Sequence, residues 1–511
     1  MVMTKNLALV MKLNMLDRLL EIVDECRIQA NGQLDEATRG QKGQFMTPAA
    51  AARILAGKFR DLSGELNIID AGAGVGSLTT ALVERALSDF SPSSINANVW
   101  ELENVLVENL NYSLELCGQA ATESNVVWSS KVNHKDFIHH AVSLIQQRNS
   151  ERERVSFNKA ILNPPYLKIA ASSEERKLLR SVGVETGNLY SCFVTLALML
   201  LEQGGELVAI TPRSFCNGPY FNDFRRVLLE GNNLNKLHVF ESRTSAFKGD
   251  KVLQENVIFH LIKGEAQGPV EIISSKCADD PKPITRIADF HEVVNPNNPE
   301  RFIHIVTNDE QAEIASRIGG MPCSLEDLGI EVSTGKVVDF RTKPNLRHNP
   351  GEDTVPLIYP MHFNNGLIEY PVESKKKPNA IVLNEDTKKM MVPNGTYILV
   401  KRLTSKEEKR RIVAGLYTGG LINVSVVGFE NKINYFHAGG QPLKTDFAKG
   451  LWVYLNSHIV DQYFRQFNGH TQVNATDLYT LRYPSYEQLI NMGKKVRQFD
   501  QYFFNELVAD L

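Results

Sequence analysis

From residue 65 to residue 262 short apolar runs alternate with stretches of helical periodicity. The runs "ELNIIDAG" (65–72), "INANVWEL" (95–102), "NKAILN" (158–163), "GELVAITP" (205–212), "NKLHVF" (235–240) and "NVIFHLI" (256–262) read as strands. Between them, residues 77–88, 103–117, 190–203 and 220–231 read as helices. Such alternation predicts an α/β domain built on a largely parallel, doubly wound sheet. Before it, the apolar spacing of "NMLDRLLEIVDECRIQA" predicts an amphipathic helix over 14–30. After it, residues 263–300 are a mixed, turn-rich stretch with Pro, Asn and Asp clusters.

The last 210 or so residues carry isolated strand-like runs, "YILVKRL" and "GLINVSVVGF", among Asn, Gly and Pro turns. One long helical stretch is expected over 447–467, and another closes the chain. The pattern therefore divides into an N-terminal helical segment (1–39), an α/β domain (40–265), a connecting segment (266–300) and a mixed α+β domain (301–511). No repeat and no low-complexity tract interrupts it.

Composition narrows the compartment more than the partner. Basic and acidic residues nearly cancel, 56 against 59, for a net charge of −3. No global field argues for nucleic acid, although local patches decide that more than totals do. Cys26, Cys117, Cys192, Cys216, Cys277 and Cys323 are scattered, with no CxxC pair. Reduced thiols in a cytoplasmic protein, without a zinc site or disulfide framework, are expected. No apolar run reaches the roughly 18 residues of a membrane span, and no signal-peptide core is visible.

Candidate chemistry clusters at the predicted strand ends. "NIIDAGAGVGSL" sets Gly72, Gly74 and Gly76 after a strand and before a helix. Glycines there let the backbone turn tightly against a ligand. The G-x-G-x-G spacing differs from the pyrophosphate-binding pattern, and Asp70 would repel a phosphate but suits a cation. Thirty residues on, Glu101 ends the next strand, where a carboxylate can accept both hydroxyls of a ribose. Within "KVNHKDFIHH", Asp136 can accept from an adenine amine and Phe137 can cover a ring face. Cation, ribose and adenine together describe S-adenosylmethionine better than NAD.

The strand 158–163 ends in "NPPY": Asn163, Pro164, Pro165 and Tyr166. Consecutive prolines stop a strand and hold their carbonyls rigidly. An Asn side-chain oxygen and the following carbonyl can accept from an exocyclic nitrogen, exposing its lone pair. That is preorganised electrostatic catalysis, with an aromatic nearby to stack on a flat substrate.

These motifs together resemble the N6-adenine DNA methyltransferases of restriction–modification systems, in the γ order. "GQFMTP" (43–48) looks like their N-terminal cofactor motif, which implies that Thr47 and Pro48 contact the methionine end. The resemblance implies a Rossmann-like, class I S-adenosylmethionine-dependent catalytic domain. "SAFKGDKVLQENVIFHLIKG" is similar to the motif whose aromatic packs against a flipped base, pointing to Phe247 beside Tyr166. The C-terminal half resembles the PstI/BsuBI-type modification enzymes, which implies a target-recognition domain and a double-stranded DNA partner. A restriction endonuclease would be the functional counterpart; no metal is implied.

Within that domain Lys401, Arg402, Lys406, Lys409, Arg410 and Arg411 form a basic stretch that could neutralise phosphates or face solvent from a helix. "STGKVVDFRTK" (333–343) and "GHTQVN" (469–474) are polar loops that could reach base edges. They bring in Lys336, Arg341, His470 and Gln472. NPPY also occurs in methyltransferases acting on RNA or on protein glutamine, so the tetrapeptide alone leaves those substrates open. A non-catalytic DNA specificity subunit is a further alternative, against which the intact glycine loop and NPPY argue.

Overall fold

The computed structural model describes residues 15–33, 46–149, 156–240, 255–296, 298–404, 408–421, 423–469 and 471–509. Phe247, Lys406 and His470 lie outside the described residues. The chain folds as two compact units, one ending at Thr307 and one beginning at Asn308.

The first unit is built on nine strands. They are β1 (Gly64–Ala71), β2 (Pro92–Trp100), β3 (Val127–Asn133), β4 (Phe157–Leu162), β5 (Leu201–Pro212), β6 (Asn232–Phe240), β7 (Asn256–Lys263), β8 (Val270–Ser275) and β9 (Ile284–Ala288). Their order is β3-β2-β1-β4-β5-β7-β6-β8-β9. Strands β1 to β5 pair in parallel, as the apolar runs predict. β7 enters antiparallel between β5 and β6. β3 escaped the sequence pattern because its residues are mostly exposed, which removes the apolar run. The stretch 266–300, expected as a connector, instead supplies β8 and β9 to this sheet. Their short runs are hidden in sequence by the turns that flank them.

The helices that flank this sheet include α1 (Leu19–Gln33), α2 (Ala49–Ala56), α3 (Ser77–Asp89), α4 (Asn104–Glu123), α5 (Phe137–Asn149), α6 (Glu174–Arg180), α7 (Leu189–Leu200) and α8 (Asn222–Leu229). Two apolar layers flank the sheet. One gathers Leu20, Leu55, Leu82 and Leu116 of α1 to α4 over Ile68, Ile161 and Ile210. The other packs Ile138, Leu179, Leu196 and Phe224 of α5 to α8 onto Ile69, Leu162 and Leu207. Chain order reverses between β1 and β4, which are neighbours. A crevice at their carboxyl ends is what such a switch point produces.

The second unit contains two sheets. The larger joins β10 (Glu331–Thr334), β13 (Phe363–Asn364), β14 (Leu367–Ile368), β17 (Tyr397–Lys401), β18 (Ala414–Tyr417) and β20 (Ile433–His437). The smaller joins β11 (Leu346–Arg347), β12 (Thr354–Ile358), β15 (Ala380–Val382), β16 (Met391–Pro393) and β19 (Val426–Phe429). Residues of both sheets meet in an aromatic-rich core around Tyr397, Tyr417, Phe429 and Tyr435. The helix expected over 447–467 is two helices, Thr445–Leu455 and His458–Phe467. Asn456 caps the first helix, its side-chain amide donating to the Ala414 carbonyl at 3.0 Å, and Ser457 is extended, so the second helix starts afresh. Among the described residues no helix is long and apolar enough to cross a membrane.

Candidate functional site

Chain segments far apart in sequence converge at the carboxyl ends of β1 and β4. The glycine loop follows β1, with φ of 78°, 59° and 88° at Gly72, Gly74 and Gly76. L-residues resist this left-handed region, which is why the loop is glycine at alternate positions. Gly76 carries a second constraint, because an added Cβ would stand 3.0 Å from Leu110. The amides of Gly72 and Ala73 both donate to the Trp100 carbonyl at 2.9 Å, tying the loop to the end of β2.

Glu101 strengthens that tie. Its Oε2 accepts from the Gly74 amide at 2.9 Å, and its Oε1 accepts from the amides of Leu102 (2.7 Å) and Glu103 (2.9 Å). Burial raises its pKa, while these amides oppose the shift by favouring the carboxylate. Its Oε2 keeps a lone pair for a ligand, and the side chain lines a cavity of about 820 Å³, part of it open to solvent. That volume suits a nucleoside-sized ligand.

Thr47, Gly72, Gly74, Phe137, Asn163 and Pro165 line the same cavity. Six of the positions singled out in sequence, with Glu101 a seventh, are thus brought to one wall. Pro48, Asp70, Gly76, Asp136, Pro164 and Tyr166 do not line it. Pro48 instead opens α2, its carbonyl accepting from Ala52 at 2.9 Å. Asp70, expected to face a cation, is fully buried behind the loop, where Thr79 donates to its Oδ2 at 2.7 Å. Its Oδ1 has no hydrogen-bond partner, and burial pushes its carboxyl up to about 7. Asp136, expected to accept from adenine, receives the His139 amide at 3.0 Å and so caps the start of α5. The strand-end position is correct in each case; the side chain is committed to holding its own turn.

Sequence reasoning missed Trp100, Lys135, Phe193 and Ser77, all on the cavity wall. Trp100 packs edge-on against Phe137 with centroids 5.3 Å apart, and Phe193 lies 5.0 Å from Phe137. Trp100 and Lys135 adjoin Glu101 and Asp136, so adjacency to the motif was the available signal. Phe193 sits inside an apolar helix, where nothing in sequence separates it from core. The Ser77 hydroxyl is buried without a hydrogen-bond partner. An unsatisfied polar atom on a cavity wall fits a polar ligand.

Asn163 is held from two sides. Its Nδ2 donates to Thr47 Oγ1 at 3.0 Å, and its Oδ1 accepts from the Tyr166 hydroxyl at 3.0 Å. Tyr166 also donates to the Ile210 carbonyl at 3.4 Å and packs edge-on against Tyr190. Burial raises its pKa, keeping the phenol protonated. The ring expected to stack on a substrate is half-buried, with its hydroxyl on the amide. Among the described residues no group of three His, Cys, Asp or Glu side chains is placed to hold a metal ion.

In the second unit Lys401 ends β17, and among the described residues of the basic stretch 401–411 none is helical. Arg411 is buried and bonds Thr404 and Asn468, and Arg410 bonds Gln501 and the Asn456 and Ser457 carbonyls. Both are withdrawn from phosphate contact by these bonds. Arg402 donates to the Asn431 carbonyl at 2.7 Å, and Lys401 lies over the Phe363 ring at 5.3 Å. Lys336, Arg341, Lys409 and Gln472 are exposed. An isolated bridge between Leu403 and Gln472 joins the basic stretch to the 469–474 loop.

Comparison with known proteins extends this picture. Residues 53–247 match the family described as Eco57I restriction-modification methylase. The type II methyltransferase M.PstI of Providencia stuartii is 54% identical over 95% of this chain and 96% of its own length. The type II methyltransferase M.BsuBI of Bacillus subtilis is 46% identical over 94% of each. Among solved structures, the type IIL restriction-modification enzyme MmeI in complex with DNA superposes with a TM-score of 0.53. That match has 11% identity and covers 99% of this chain and 75% of MmeI, a likeness of fold.

Proposed function

We propose, for a chain that belongs to the type II methyltransferases of restriction–modification systems, that it methylates N6 of an adenine turned out of double-stranded DNA. The methyl donor is S-adenosylmethionine, which supplies an electrophilic methyl group when bound. The observation that carries the reading is the Asn163 carboxamide, set on the wall of the cavity that Glu101 and the glycine loop also line.

Each residue's part follows from its chemistry. Glu101 accepts from ribose hydroxyls, Phe137 and Trp100 cover the adenine of the donor, and Thr47 stands near its methionine end. The unsatisfied Ser77 hydroxyl offers one more polar contact. Asn163 Oδ1 accepts from the N6 amine of the target base, since a carbonyl oxygen has a second lone pair beside the one that receives Tyr166. The Pro164 carbonyl accepts the other N6 hydrogen, drawing the nitrogen toward a tetrahedral geometry with its lone pair exposed. The N6–methyl bond forms as the sulfur–methyl bond breaks and S-adenosylhomocysteine leaves. The methylated nitrogen, now acidic, releases its extra proton to water, so positioning replaces a strong base. Extruding the base costs a few kcal/mol, which protein contacts offset. Tyr166 orients the amide, and Phe247 is assigned to the flipped base. Acting on cytoplasmic DNA, the enzyme protects its sites from a cognate restriction endonuclease.

The test is to incubate the protein with duplex DNA and labelled S-adenosylmethionine, then digest the DNA to nucleosides. Label in N6-methyldeoxyadenosine is expected, and Asn163→Ala should abolish it while donor binding survives. Label in methylcytosine, or in RNA or a glutamine peptide but not in DNA, would overturn the reading.

A further inference from the structure

Phe340 is 77% exposed, a large apolar side chain standing in solvent. It is carried on a single helical turn, Asp339–Thr342, in the loop that follows β10. Flexible loops commonly expose such side chains, but this one is fastened at successive points. The Gly335 amide donates to the Ile433 carbonyl at 2.8 Å, and Val337 exchanges bonds with Phe429 and Asn431 at 3.2 and 2.9 Å. Gly335 lies so near the Glu430 carbonyl that a Cβ would meet it at 2.3 Å. Val337 is fully buried. Asp339 accepts from the Tyr359 hydroxyl at 2.7 Å and pairs with Lys377, and Thr342 Oγ1 bonds back to the Val338 carbonyl at 3.0 Å. Gly335, Val337 and Thr342 are buried, while Phe340 stands outward.

Its surroundings are cationic. Lys336, Arg341, Lys343 and Arg347 are exposed within this stretch, whose one acid, Asp339, is already paired. The nearby Glu430 is buried and receives the Lys432 amide. The Arg341 guanidinium lies over the Phe340 ring at 5.4 Å. A local excess of cations in a chain of net charge −3 complements a polyanion, and a rigid aromatic at its centre complements stacked bases.

The geometry points to Phe340 as an apolar wedge that enters the base stack of double-helical DNA, with Lys336, Arg341 and Lys343 on the flanking phosphates. This rests on DNA being the substrate. Apolar side chains inserted between base steps unstack them locally, and the phosphate contacts hold the distorted duplex.

The experiment uses the full chain with S-adenosylhomocysteine and a short duplex bearing a sequence that the wild-type enzyme methylates. Phe340→Ala should weaken duplex binding about ten- to a hundredfold, with donor binding and thermal melting unchanged. Phe340→Trp should keep affinity, and its indole emission should be quenched on adding duplex. Affinity for Phe340→Ala within twofold of wild type, with an unresponsive Phe340→Trp, overturns the wedge. Loss of self-association in Phe340→Ala with unchanged duplex affinity also overturns it, and assigns the residue to a second copy of the chain. If the wild type methylates no DNA, the functional reading falls and the wedge with it. If it does and Phe340→Ala binds normally, the wedge alone falls.

Discussion

Asn163 donates to Thr47 across 116 residues of chain, Nδ2 to Oγ1 at 3.0 Å. The bond joins the segment before α2 to the end of β4, so a residue that lines the cavity also orients the candidate catalytic amide. With Tyr166 donating to the other end of that amide, Oδ1 and Nδ2 are fixed in place rather than free to exchange.

Thr47→Val removes the acceptor for Asn163 while keeping the side-chain shape. Single-turnover methyl transfer at saturating donor should fall roughly three- to tenfold, the worth of one hydrogen bond, with KM for DNA unchanged. Thr47→Ser should restore the rate. A valine variant as fast as wild type would remove Thr47 from the positioning of Asn163.

Asp70 carries a pH dependence of stability. Its folded pKa is raised by burial from 3.8 to about 7. Between those values the fold keeps a proton that the unfolded chain has released, so stability from this residue declines as pH rises through that window. The loss is complete above about pH 7 and amounts to a few kcal/mol. Asp70→Asn should therefore melt above wild type at pH 8 and match it at pH 4, as measured by calorimetry. Equal melting at both pH values would count against the buried acid.

Gly76→Ala meets two costs at once, a φ of 88° and a Cβ 3.0 Å from Leu110. About 2–4 kcal/mol of destabilisation is expected from strain and overpacking together. Denaturant unfolding would read it directly, and loss of donor binding should accompany it because the loop moves.

Arg411 and Lys409 separate burial from charge. Arg411→Ala leaves Thr404, Asn468 and their neighbours without a buried partner, and should cost about 3 kcal/mol or more of stability. Lys409→Ala is exposed and should leave melting unchanged. If Lys409 meets a phosphate, the slope of log affinity against log salt should fall by about one. An unchanged slope would assign it to solvent.

The sequence by itself determined where the residues of the candidate site gather. Apolar runs and glycine spacing are local properties, and a parallel α/β unit sends successive strand ends to one edge. Glu101, Phe137, Asn163 and the glycine loop were therefore legible as one site before any contact was known. The tertiary structure decided what each polar side chain does there. Asp70 accepts from Thr79, Asp136 caps the helix that follows it, Tyr166 donates to the Asn163 amide, and Thr47 reaches that amide from 116 residues away. The second unit shows the same limit more strongly. Its basic stretch reads as one surface in sequence, yet Arg411 is 1% exposed while Phe340, an apolar residue of the same unit, stands 77% exposed. Which side of a short strand or turn faces inward depends on register and on distant partners, and neither is written in local pattern.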